Sequence, residues 1–255
     1  ARRFHVAENP MVEQIETLLP GANCGGCGYS GCHDFACKCA DASSLSGFFC
    51  PGAGADVMAK IAKIKGVDNT SVTPKIAVLK CYGTCANRPQ RANYDGVQSC
   101  ALLSMIAVGS TDCAYGCLGC GDCVQACPWD AIHIDPTTGL PAVSETKCVG
   151  CGKCVTACPR TILELRSKGP KGRRVWVACS NRDKGAIARK ECSAACIGCG
   201  RCSRTCPFEA ITIANNLAYI DPEKCRLCRK CVPECPTGAI HCVNFPIPVS
   251  AERPQ

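Results

Sequence analysis

The stretch Cys113-Ala-Tyr-Gly-Cys117-Leu-Gly-Cys120-Gly-Asp-Cys123-Val-Gln-Ala-Cys127-Pro128 decides how this chain is built. It recurs as Cys192-Ser-Ala-Ala-Cys196-Ile-Gly-Cys199-Gly-Arg-Cys202-Ser-Arg-Thr-Cys206-Pro207. Each copy is followed by a half-copy, Cys148/Cys151/Cys154/Cys158-Pro159 after the first and Cys225/Cys228/Cys231/Cys235-Pro236 after the second. The repeat also reaches upstream. Cys100 lies 13 residues before Cys113, and Cys179 lies 13 before Cys192. Cys179 ends an apolar run, Val175-Trp-Val-Ala178, much as Cys81 ends Lys75-Ile-Ala-Val-Leu-Lys80. A unit duplicated together with its preface accounts for all of this.

Three cysteines at intervals of three, with Cys-Pro four residues after the third, form the ligand run of a two-cluster bacterial ferredoxin. The three wrap one cubane, and the small residues between them let backbone amides approach the sulfides. Gly119, Gly121, Gly150, Gly152, Gly198 and Gly200 occupy those positions. The fourth cysteine crosses to the other cluster. We expect it at the start of a helix, because proline fits a first turn that lacks amide partners anyway. The crossing rule predicts four [4Fe–4S] sites. Cys117, Cys120, Cys123 and Cys158 form one, and Cys148, Cys151, Cys154 and Cys127 its neighbour. Cys196, Cys199, Cys202 and Cys235 form the third, and Cys225, Cys228, Cys231 and Cys206 the fourth. Structural zinc is the competing use of C-x2-C pairs. Zinc ribbons use two separated pairs, not three cysteines in register plus Cys-Pro repeated four times.

A different motif precedes the repeats: Gly21-Ala-Asn-Cys24-Gly-Gly-Cys27-Gly-Tyr-Ser-Gly-Cys32, then Cys50-Pro51. Three cysteines in a glycine-rich loop with a remote fourth suit a fifth cubane. Cys37 and Cys39 compete with Cys50 for the last position, and Cys-Pro favours Cys50. Nine cysteines are then left over: Cys37, Cys39, Cys81, Cys85, Cys100, Cys113, Cys179, Cys192 and Cys242. The plain reading is buried thiols packing as small hydrophobes. The sharper one is a sixth cluster on Cys81, Cys85, Cys100 and Cys113. The second copy offers only Cys179 and Cys192 in matching places, so a seventh would lack two ligands.

Composition agrees with metal. The chain carries 29 cysteines in 255 residues, while aromatics are only 5%. A disulfide scaffold belongs to small secreted chains, and an odd count forbids full pairing. The formal charge of +8 would suit nucleic acid, but each thiolate-held cubane carries about −2, so five would add roughly −10. We therefore expect no nucleic-acid partner. Gly52-Ala-Gly54 follows a cysteine and lacks a third glycine, so no flavin or NAD site is expected. His5, His33, His133 and His241 are scattered and make no Rieske pair. The basic run Lys168–Arg174 reads either as a solvated turn or as a patch for an acidic ferredoxin. No stretch reaches the roughly 18 apolar residues of a membrane helix, and no signal peptide is visible.

The expected fold is α+β: a small N-terminal [4Fe–4S] domain (1–66), then two tandem bacterial-type dicluster ferredoxin modules (75–166 with its cysteine-rich preface, and 173–245). Met11, Val12, Ile15, Leu18 and Leu19 fall at helical spacing, closed by Pro20-Gly21, and Val57–Ile61 reads as another helix. Ala131–Ile134, Ile211–Ile213 and Tyr219-Ile220 read as supporting strands.

Together these residues resemble the B subunits of the Rnf complex, the ion-pumping ferredoxin:NAD⁺ oxidoreductase family. The resemblance runs from Phe4-His-Val6 and Leu19-Pro-Gly-Ala-Asn-Cys24-Gly-Gly-Cys27-Gly-Tyr29 through Gly116-Cys-Leu-Gly119 to Ala178-Cys-Ser-Asn-Arg-Asp-Lys-Gly185. The Cys24 motif is also similar to one in corrinoid iron–sulfur proteins. The longer forms of the family are the nearer match. The resemblance implies a redox subunit at the cytoplasmic face of the membrane of an anaerobic bacterium or archaeon. It would accept electrons from reduced ferredoxin, relay them to other subunits of a membrane redox complex, and have no catalytic site of its own. It also implies a membrane helix ahead of Ala1. A soluble polyferredoxin carrier, or an electron subunit of a cytosolic flavoenzyme, is the alternative.

Overall fold

The computed structural model describes residues 9–68 and 73–246. Three helices, α1 (Pro10–Leu18), α2 (Cys32–Asp41) and α3 (Gly54–Lys65), form the N-terminal unit. The Asn9 side chain caps α1 by accepting from the Met11 amide at 3.0 Å, and Gly66 in the left-handed conformation closes α3. Ile15, Phe35, Leu45, Met58 and Ile61 are almost fully buried between the helices. The sequence predicts α1 and the middle of α3 but reads α2 as loop. The cysteines there, Cys32, Cys37 and Cys39, point to ligation and mask the helical spacing that puts Cys32, Phe35, Ala36 and Cys39 on one buried face.

The remaining elements are β1 (Lys75–Leu79), α4 (Cys100–Ile106), α5 (Asp122–Gln125), β2 (Ile132–Asp135), β3 (Leu140–Val143), α6 (Lys153–Ala157), β4 (Leu163–Ser167), β5 (Arg174–Val177), α7 (Gly185–Glu191), α8 (Arg201–Thr205), β6 (Ile211–Ala214), β7 (Leu217–Ile220) and β8 (Ile240–Val243). They obey the internal repeat strand for strand. β1 pairs antiparallel with β4 and β5 with β8, while β2–β3 and β6–β7 are hairpins. The first ladder extends through Lys80 N donating to Ile162 O and the second through Ala178 N donating to Ala239 O, both at 2.7 Å. Cys81 and Cys179 therefore leave their strands at equivalent points.

The two repeats pack through these strands. Trp176 Nε1 donates to Leu79 O (2.9 Å), Ser180 Oγ to Lys80 O (2.9 Å), and Ser193 N to Asn87 O (3.0 Å). Val78, Trp176 and Ala178 make a small shared core. His241 meets Tyr82 edge-on, ring centroids 4.0 Å apart, and burial lowers its pKa to about 4, so it is neutral at pH 7. The basic run 168–174 is largely spent internally. Arg174 pairs with Glu145, Arg173 lies over the Phe245 ring at 5.6 Å, and Lys168 Nζ donates to Glu145 O at 3.0 Å.

The N-terminal unit meets the first repeat at glycines. A β-carbon on Gly26 would lie 2.6 Å from Cys151 Cβ and 2.8 Å from its Cα, and one on Gly52 would lie 2.6 Å from the Trp129 ring. Gly26→Val is expected to push the Cys24 loop off the Cys148–Cys154 loop, at a cost of about 1–3 kcal/mol. Thermal denaturation and faster trypsin cleavage after Lys65, at the head of the linker to the first repeat, would report it. An unchanged melting profile with unchanged cleavage would contradict the contact.

Candidate metal centres

The Cys-Pro corners differ from expectation. The sequence places the fourth cysteine at a helix start, but the short helices come before it: α5 ends ahead of Cys127, α6 ahead of Cys158 and α8 ahead of Cys206. Each Cys-Pro opens a turn whose residue three positions on, Asp130, Thr161, Glu209 or Gly238, has φ between 46° and 68°. That left-handed step swings the next amide back. Ala131 N points at Cys127 Sγ (3.4 Å) and Ala239 N at Cys235 Sγ (3.2 Å). The proline fits because the turn, like a first helical turn, leaves its amide without a partner.

The cysteines then gather around cavities. Cys127, Cys148, Cys151 and Cys154 line one of about 360 Å³. Cys196, Cys199, Cys202 and Cys235 line another of about 350 Å³. In both, the lining cysteines are the set assigned by the crossing rule. Cys225, Cys228 and Cys206 come together as well: burial raises the Cys225 thiol, with neighbouring Cys228 and Cys206 adding to it. Burial pushes Cys231 up to about 12, with Cys225, Cys202 and Cys228 contributing.

The Cys117 site differs from its assignment. Its cavity, about 380 Å³, is lined by Cys117, Cys123, Cys158 and Cys100. Cys120 sits beside Cys100, with its Sγ 3.8 Å from Leu118 O. Burial raises the Cys120 thiol to about 11, with contact from Cys100 contributing. Five thiols thus surround a four-ligand site. Asp122 holds Cys100 there by accepting from its amide at 2.7 Å and from Ala101 N at 2.9 Å. Nothing in the spacing singles out Cys100, because it reaches the site from α4, 17 residues ahead of Cys117.

In the N-terminal unit, Cys24 and Cys27 both lie near Cys50: burial raises the Cys50 thiol, with Cys27 and Cys24 adding to it. Cys32 opens α2, its amide donating 2.7 Å to the Asn23 side chain, and Gly25 and Gly28 hold the loop at φ 68° and 88°. Cys39, fully buried, is near Cys27 and Cys50; burial raises its thiol to about 11. Cys37 turns toward His33 Nε2 at 3.5 Å.

The candidate sixth set, the sharper of the two readings, is not brought together. Cys81 and Cys113 share a cavity, but Cys100 lines the Cys117 site and Cys85 is exposed, with its Sγ 3.6 Å from Thr138 O.

A test of fit separates a cubane from a lone ion. Zinc at about 2.3 Å from each sulfur draws its ligands onto one point. Among the described residues no three or more His, Cys, Asp or Glu side chains converge that closely. The thiols instead ring pockets of about 350–380 Å³, open in part to solvent, with backbone amides aimed at sulfur at Cys127 and Cys235. That is a cradle for a cluster with an iron at each corner.

Family comparisons agree. Models described as a 4Fe-4S dicluster domain match residues 116–162 and 195–239, and a second such model matches 147–210. A model for an Fe-S cluster motif matches residues 19–42. The B subunit of the Na⁺-translocating ferredoxin:NAD⁺ oxidoreductase complex of Acetobacterium woodii is 46% identical, over 94% of this chain and 71% of that protein. The chain belongs to the B-subunit family of ion-translocating ferredoxin:NAD⁺ oxidoreductase complexes. Its counterpart in the proton-translocating complex of Clostridium ljungdahlii is 41% identical over 95% of this chain and 84% of that protein. The corresponding subunit of Methanosarcina acetivorans is 37% identical, over 93% and 88%. This B subunit is thus an electron-transfer chain of several iron–sulfur domains: an N-terminal one followed by two dicluster domains in tandem.

Proposed function

We propose that this B subunit takes electrons from reduced ferredoxin at the cytoplasmic face and relays them to membrane partners of an ion-translocating complex. Bound [4Fe–4S] clusters would supply one-electron chemistry at low potential. The protein's own residues fix the order of the sites and the donors around each sulfur. We assign five sites: Cys24/Cys27/Cys32/Cys50, the Cys117 site, Cys148/Cys151/Cys154/Cys127, Cys196/Cys199/Cys202/Cys235 and Cys225/Cys228/Cys231/Cys206. The contact of Gly26 with Cys151 carries the relay reading, because it sets the N-terminal loop directly against a dicluster site. A free carrier has no need of such a junction. Among the described residues no helix is long and apolar enough to cross a membrane, so attachment would come through partner subunits or a segment outside these residues.

Anaerobic stopped-flow mixing tests the reading. Reduced ferredoxin should bleach the visible absorption of this subunit, and the subunit alone should not reduce NAD⁺. NAD⁺ reduction by the flavin-free chain, or no bleaching by ferredoxin, would overturn it. At the Cys117 site, Cys100→Ser and Cys120→Ser are each expected to keep the full iron content, since either thiol completes the set. The double variant should lose about four irons per chain. Loss of iron in one single variant alone would name the sole ligand.

A further inference from the structure

Cys81, Cys113, Cys179 and Cys192 belong to none of the five assigned sites, yet they face one cavity of about 320 Å³ between the two repeats. Its size is close to the 350–380 Å³ of the three cavities at the assigned cluster sites. All four thiols are buried. The internal repeat explains their placement. Cys81 and Cys179 leave equivalent strands, and Cys113 and Cys192 each stand four residues before the first cysteine of their motif. Each repeat brings two thiols, so neither could complete a site alone.

The surroundings are built for sulfur. Asn181, 1% exposed, donates its backbone amide toward Cys179 Sγ (3.4 Å) and its side-chain amide toward Cys113 Sγ (3.6 Å). Glu191 fixes that side chain, accepting from Nδ2 at 2.8 Å. Asn87 ties the wall together, accepting from Ser193 N at 3.0 Å and Ser193 Oγ at 2.8 Å. The site also has neighbours on both sides. Burial raises Cys117 and Cys179 to about 12, and the Cys81 thiol is close enough to add to both. Cys196 is likewise near enough to act on Cys179.

We infer that Cys81, Cys113, Cys179 and Cys192 hold a further [4Fe–4S] cluster, two ligands from each repeat, between the Cys117 site and the Cys196 site. It joins the two dicluster modules, which also meet through packing, hydrogen bonds and the Arg174–Glu145 ion pair. The inference rests on the relay reading for its role but not for its chemistry.

Native mass spectrometry and iron and sulfide assay of the anaerobically purified full chain test it. Six cubanes, or about 24 iron and 24 sulfide, are expected. About 20 with ferredoxin reduction intact would overturn the shared site and leave the relay standing, while little iron would sink both. Cys179→Ser/Cys192→Ser should lose about four irons and one EPR signal of the reduced protein. Asn181→Leu keeps all four thiols and should retain about 24 irons while shifting one cluster's midpoint potential. Zinc at this site, a disulfide among these four cysteines, or full iron retention in the double variant would each overturn it. The parent count remains decisive if the double variant fails to fold.

Discussion

Stripping iron from this protein with a chelator should unfold both dicluster modules while the N-terminal helices keep much of their protection against hydrogen exchange. The difference lies in what fills each core. Of the fifteen buried residues in the second module's core, five are cysteines, five are alanines and only Val175, Val177, Ile211, Ile220 and Ile240 are larger. With so little aliphatic surface to bury, that module depends on ligation to stay ordered, so cluster binding there is folding free energy. The N-terminal core instead holds Val12, Ile15, Leu19, Phe35, Leu45, Met58 and Ile61, with Tyr29, Phe48 and Phe49 packed on it. The rings of Tyr29 and Phe48 stack at 5.9 Å and Tyr29 meets Phe35 edge-on at 5.5 Å. After chelation, amides of α1 and α3 should stay slow to exchange while those of β5–β8 exchange at unprotected rates. Equal loss in both regions would show that the aromatic core does not stand without its cluster.

That contrast also explains what can be read from the residues alone. Ligand spacing is local, so the dicluster runs and their crossing partners are legible in the one-dimensional pattern. Two of those sets, Cys127/Cys148/Cys151/Cys154 and Cys196/Cys199/Cys202/Cys235, line common cavities. Helix α2 is not legible because its cysteines point to ligation and so hide the spacing by which Cys32 and Cys39 pack beside Phe35 and Ala36. The joining of Cys81 with Cys179 is hidden for a different reason. It depends on how two copies of one repeat face each other, and spacing within a copy carries no information about that. The matching positions of the leftover cysteines are the available signal, but within one copy Cys179 and Cys192 look like half a site. Cys100 escapes the pattern because its anchor is remote: the pairing of its amide with Asp122 spans 22 residues and leaves no periodic trace.

Arg88→Met is expected to lower the midpoint potential of the Cys117 cluster without loss of iron. The guanidinium donates to Cys117 O at 2.7 Å. Gly83 and Gly116 lie against it: a β-carbon on Gly116 would collide with Nη1, and one on Gly83 would crowd Cδ. Burial raises the Cys117 and Cys192 thiols, and Arg88 opposes that shift at both. Its charge therefore lies between the Cys117 site and the shared cavity. Reduction adds one negative charge to a centre that is already anionic, and a fixed cation favours the reduced form. A unit charge about 6 Å away, at an effective dielectric between about 20 and 80, is worth about 0.7–2.8 kcal/mol, or roughly 30–120 mV for one electron. Methionine keeps the stem's bulk and removes the charge. Lysine restores the charge but not the planar fork, so Arg88→Lys should recover most of the shift and lose some rigidity at Cys117 O. A potentiometric titration followed by EPR, on variants whose iron content equals the parent's, reads the effect directly. Unmoved potentials in Arg88→Met would mean that solvent screens the guanidinium from both sites. A fall of that size at the Cys117 cluster alone would place the charge on the first module's side, and a fall at two centres would place it between them.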